Sequence, residues 1–195
     1  MAEVALANLG LAELSEPELD VVVGGLGLGY TARAVLEHPN VREVLIIDTL
    51  REVIEWHQQG LLPLGKELTS DPRCKFVHGD FFAMTASQSR GFDAENNGRR
   101  SHAILLDVDH SPRNVLHLSH APFYEPDGLR QLKSHLLPGG VFALWSNDPP
   151  DEQFQVALSE VFASYETHVV TFPNPIQHRD EANTVYVAQN SLTTG

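Results

Sequence analysis

The chain of 195 residues suits one domain with a single substantial core. Lys and Arg total 13 against 26 Asp and Glu, a formal net charge of −13, which argues against nucleic acid and anionic membrane as partners and favours a small cationic one. The single cysteine, Cys74, excludes an internal disulfide, and an N-terminus with neither a basic start nor a long apolar run leads us to expect no signal peptide, no membrane span and a cytoplasmic protein.

In chain order, residues 2–14 carry apolar side chains at helical spacing until Ser15, Glu16 and Pro17 intervene, so 1–18 is expected to be a helical lead-in. Three valines, Val21, Val22 and Val23, then run into a turn holding Gly24, Gly25, Gly27 and Gly29, and residues 30–37 read as the helix that follows. Glycine lets a ligand approach the backbone without meeting a Cβ, and the free amides of a helix N-terminus attract nucleotides and carboxylates. An adenosine-containing ligand across residues 24–29 is one reading, and a turn that only packs a strand against a helix is the other.

The pattern repeats. A strand over 43–48 ends at Asp48, and a helix over 49–59 follows, with Leu50, Val53, Ile54 and Trp56 or His57 on its inner side. A strand over 75–78 enters Gly79 and Asp80, and another over 102–106 enters Asp107. Between them, residues 85–101 are almost wholly polar and are read as a mobile surface insertion. A helix over 128–137 is closed by Pro138, Gly139 and Gly140 before a fifth strand over 141–145. A helix over 152–163 and strands over 167–172 and 184–188 complete the chain, the last two joined only by FPNPIQHRDEAN and so expected to form an antiparallel hairpin.

Alternating strands and helices with apolar strands predict an α/β fold: a mostly parallel seven-stranded sheet, helices on both faces, one domain over 1–195. In such sheets ligands gather outside the carboxyl ends of the strands. Asp48 lies about twenty residues beyond the glycine turn, the spacing of a ribose-binding acid. Asp80 is placed to take an adenine amine, and Asp107 and Asp109 fall beside the reactive end of the ligand. Each acid, taken singly, also reads as a solvated strand end or a helix cap.

GGLGLG, LIID, VHGDFF, AILLDVDHSP and FYEPDGLRQLKSHLLPGGVFALW together resemble the spermidine synthase-like group of the class I S-adenosylmethionine-dependent methyltransferase superfamily, from about residue 20 to 188. The resemblance implies a Rossmann-like class I methyltransferase fold with a reversed last strand. It also implies binding of S-adenosylmethionine or decarboxylated S-adenosylmethionine, with aminopropyl or methyl transfer to a small amine. It puts Gly24, Gly25, Gly27 and Gly29 around the ligand, Asp48 on its ribose, Asp80 at its adenine and Asp107 at the catalytic position. Three departures stand out. Spermidine synthases resemble GGGDGG in the turn, with an acid for the ligand's ammonium where this chain has Gly27. Their second catalytic acid falls on His110, with Asp109 shifted by one. Their N-terminal β-hairpin domain has no counterpart in the roughly twenty residues before the first strand.

An NAD-dependent oxidoreductase is the alternative, since Gly27, Gly29 and Ala32 satisfy G-x-G-x-x-A, and a non-catalytic nucleoside-binding domain is a third reading. His110, His117 and His120 match no metal-ligand spacing, so no metal is expected. Cys74, Trp56 and Trp145 read as core residues, with Trp145 and Tyr124 also at positions from which a pocket is within reach. A homodimer is left open.

Overall fold

The computed structural model describes residues 2–87, 89–174 and 179–192. Seven strands, β1 (Leu19–Gly24), β2 (Val41–Asp48), β3 (Cys74–His78), β4 (Ser101–Leu106), β5 (Leu136–Ser146), β6 (Ser164–Asn174) and β7 (Arg179–Gln189), form one sheet in the order β3-β2-β1-β4-β5-β7-β6. The first five are parallel, and β7 inserts antiparallel between β5 and β6. This is the expected sheet. Residues 175–178 of the link between the last two strands lie outside the described residues.

Strand side chains alternate between faces, and both faces are covered. Val21, Val23, Ala103 and Leu105 join one apolar cluster with Leu6 and Leu11 of α1 (Ala2–Leu11), Val35 of α2 (Tyr30–Leu36), Ile54 of α3 (Arg51–Gln58) and Leu68 of α4 (Gly65–Ser70). Val22, Ile104 and Leu106 join the other, with Phe81 of α5 (Phe81–Ala86), Leu129 and Leu132 of α6 (Pro126–Lys133) and Phe154 and Leu158 of α7 (Glu152–Val161). A short 3₁₀ helix, Leu118–Tyr124, bridges β4 and α6.

Several expectations need correction. Trp56 is 47% exposed and not core, because the inner face of α3 is taken by Ile54 and His57, and Leu50 lies outside the helix and is exposed. The helix expected over 128–137 ends at Lys133, since Leu136 already pairs with Ser101 as the start of β5. Residues 85–101 are not merely superficial. Thr85 is buried, Phe92 is 2% exposed and stacks on Phe81 with ring centroids 5.1 Å apart, and Asp93 is gripped by Arg99. One aromatic anchor suffices to dock an otherwise polar segment, which a compositional reading passes over. Trp145 is partly buried against the α1-side cluster, and Cys74 is a half-buried thiol pushed up to about 12 by burial. No helix among the described residues is long and apolar enough to cross a membrane.

Candidate functional site

The carboxyl ends of β1, β2, β3 and β4 open into a cleft lined by Gly25, Gly27, Asp48, Asp80, Phe82, Asp107, Leu116 and His120, among others. The turn after β1 builds its wall. Gly25, Gly27 and Gly29 have φ of 97°, 47° and 90°, backbone that L side chains rarely adopt. Gly25 also touches the strand beside it: a Cβ there would stand 2.2 Å from the Asp107 carbonyl oxygen.

The two strand-end acids next to the turn are held by it. The Leu26 amide donates to Asp48 Oδ2 at 3.0 Å and the Leu50 amide to Oδ1 at 2.8 Å, so the carboxylate is oriented before any ligand arrives. Asp107 accepts from the Thr31 hydroxyl at 2.8 Å through Oδ2. Its carboxyl is pushed up to about 6 by burial, against the pull of the Thr31 hydrogen bond. Such a group exchanges protons near neutrality, as a general base should. Asp80 caps α5, its Oδ1 accepting from the amides of Phe82 at 2.9 Å and Ala83 at 3.2 Å, which leaves Oδ2 for the cleft.

The cleft thus gathers Gly25, Gly27, Asp48, Asp80 and Asp107, but not every residue expected there. Gly24 and Gly29 are not in its lining, and their glycines answer to packing. A Cβ at Gly24 would meet Phe81 at 2.7 Å and Leu106 at 2.8 Å, and one at Gly29 would meet Leu68 at 2.5 Å. Asp109, expected beside Asp107 at the catalytic position, points into the protein instead. It is 1% exposed and accepts from the Leu116 amide, the Tyr124 hydroxyl and His120 Nδ1 at 2.7, 2.8 and 3.0 Å. Tyr124 is correspondingly buried, and burial with the neighbouring Asp109 raises its hydroxyl well above the ordinary tyrosine value. His120, read in sequence only as a weak metal candidate, is in the lining. No sequence signal pointed to it: its place is set by a contact distant in the chain, the stack of its ring on Phe82 with centroids 3.8 Å apart.

The family model described as the spermine/spermidine synthase domain matches residues 2–177. The polyamine aminopropyltransferase 2 of Pseudomonas aeruginosa is 29% identical over 169 residues, covering 82% of this chain, and the chain spans 44% of that protein. Among solved structures, spermidine synthase from Thermotoga maritima superposes with a TM-score of 0.70 at 19% identity, covering 99% of this chain and 60% of that one. Human methyltransferase-like protein 13 in complex with SAH gives 0.66 at 24% identity, covering 97% and 79%. At these identities the two structures bear on the fold, which is that of class I methyltransferases.

Proposed function

Because this chain belongs to the spermine/spermidine synthase domain family, we propose that it is a transferase that binds S-adenosylmethionine or its decarboxylated form and moves an aminopropyl or methyl group to a small, cationic amine. The observation that carries this is the cleft itself. Glycine-turn backbone, a pre-oriented Asp48, the free oxygen of Asp80 and a half-buried Asp107 converge where a nucleoside and its sulfonium would lie. The sheet order supports the transferase reading over a nicotinamide one, since β7, antiparallel to β5, occupies the place where a plain dinucleotide-binding sheet carries a parallel strand.

The chemistry asks little more of the protein. The acceptor nitrogen's lone pair forms the new N–C bond while the C–S pair returns to sulfur, so a sulfonium becomes a thioether. The nitrogen must be neutral to attack, and Asp107 takes the ammonium proton while holding the amine in line, a positioning effect that lowers such barriers by roughly 7 to 11 kcal/mol. The acidic character of the chain suits a polyamine.

Gly27 governs the choice of donor. The family resemblance puts an ammonium-binding acid there, whereas a Cβ at this position would meet nothing within 4 Å. With no carboxylate at that place, the preference for the decarboxylated donor should be weak or reversed. Calorimetry with S-adenosylmethionine, its decarboxylated form, methylthioadenosine and NAD tests both points. Binding of NAD alone would refute the transferase reading, and a hundredfold preference for the decarboxylated form would refute the role given to Gly27.

A further inference from the structure

We infer that His120 is a second acceptor for the ligand's exocyclic amine, acting with Asp80 to select an adenine base. The inference rests on the nucleoside reading of the cleft and extends it to a residue that no sequence pattern singled out for this purpose.

The Asp109 carboxylate is surrounded by donors, the Leu116 amide and the Tyr124 hydroxyl among them, and it can only accept. The His120 nitrogen 3.0 and 3.2 Å from its two oxygens therefore carries the ring proton, which fixes Nδ1 as donor. In the neutral ring Nε2 is then a lone-pair acceptor, and among the described residues it has no hydrogen-bond partner. The ring cannot swing away easily, being pinned by Asp109 on its edge and by Phe82 on its face, at 3.8 Å and 20° between planes. A buried acid that fixes a histidine's tautomer and orientation is the arrangement by which proteins commit one imidazole nitrogen to a ligand.

Phe82 also places this acceptor. The same residue whose ring stacks on His120 donates its amide to Asp80 Oδ1, so Asp80 and His120 share one part of the cleft, whereas Asp107 adjoins Gly25. Two acceptors tied to the same Phe82 and lining the same cleft, Asp80 through Oδ2 and His120 through Nε2, suit a planar nitrogen carrying two N–H groups. An aromatic exocyclic amine has that form, and adenine N6 is the one the proposed donors bring. A base with a carbonyl at this position would set lone pairs against both acceptors, which is the situation in which polar sites reject an analogue strongly.

The test is calorimetric titration of the wild-type protein, His120→Phe and His120→Asn with 5′-methylthioadenosine and 5′-methylthioinosine, with thermal melts of all three. Phenylalanine keeps the stack on Phe82, and asparagine keeps a donor toward Asp109, so at least one variant should retain the fold. The wild type should bind the adenosine compound more than tenfold more tightly than the inosine compound. Either variant should lose about tenfold in affinity for the first with little change for the second, the effect of one lost hydrogen bond. If the wild type discriminates and folded variants discriminate equally, the role of His120 is overturned while the nucleoside reading stands. If the wild type binds neither compound, the nucleoside reading falls and this inference with it.

Discussion

Asp107 carries opposing demands in one side chain. Its folded value of about 6 lies above the ordinary 3.8, so the fold favours the protonated form. The stabilising contribution of that proton is complete below 3.8 and is lost as pH rises through about 6. Above that, the protein holds a half-buried carboxylate at a cost on the order of 1 to 3 kcal/mol. Asp107→Asn should therefore melt higher than wild type at neutral pH. Its turnover should fall roughly 10²- to 10⁴-fold, as for a lost general base, with nucleoside affinity within a few-fold. The wild-type rate should climb through pH about 6, and that limb should vanish in the variant. Paired melts and rate profiles check this, and near-native turnover of Asp107→Asn would reduce the residue to a loop cap.

At the scale of the element, the turn after β1 is a single mechanical unit with the end of β4. Gly24 accepts from the Asp107 amide at 2.8 Å, and Gly25 lies so close to the Asp107 carbonyl that a methyl group has no room. Gly25→Ala should cost about 2 to 4 kcal/mol in stability and displace Asp107, with at least tenfold weaker nucleoside binding. Gly27→Ala, in open space at φ 47°, should cost only about 1 to 2 kcal/mol. Denaturant melts of the two variants decide the point, and equal penalties would show that backbone conformation alone, not the approach of β4, demands glycine at Gly25.

This unit was the most legible part of the sequence, because β-branched residues feeding a glycine cluster leave few other conformations. The spacing of Asp48 from that turn made its place at the end of β2 beside the cleft legible. Less legible were α4, α5 and the 3₁₀ helix, each too short to show a periodic pattern, with Pro122 inside the last. Asp109 was misread: proximity to Asp107 in sequence suggested a second catalytic acid, but β4 ends at Leu106 and the chain bends at Asp109 and His110, so strand alternation no longer sets the direction of the side chain. The Leu116 amide, the Tyr124 hydroxyl and His120, all distant from it in the chain, show that Asp109 faces inward.

Across the whole molecule, the charge is divided between the two ends of the sheet. The net −13 suggested an acidic surface waiting for a cation, yet several acids are neutralised far from the cleft, at the amino ends of β1 and β2. Arg99 there binds Asp20 and Asp93, both at 2.9 Å, and Glu43; Arg42 adds a second clamp on Asp20, and Lys75 pairs with Glu43. Burial alone would raise Asp93, but hydrogen bonds from Asn96 and Arg99 hold its carboxyl down to about 2. A depressed value means that its contribution is present above 3.8 and is lost as pH falls toward about 2. Arg99→Ala leaves three acids around one vacated centre and unties the 85–101 segment from β1 and β2. It should cost about 2 to 4 kcal/mol at pH 7, narrowing as the acids protonate. Because the cleft is at the opposite end of the same strands, nucleoside affinity should stay within about twofold, a change worth no more than roughly 0.4 kcal/mol. Denaturant unfolding and calorimetry on one preparation of Arg99→Ala separate the two ends. Unchanged stability would show the cluster to be a solvated surface, and lost affinity at intact stability would show that the amino end of the sheet shapes the cleft.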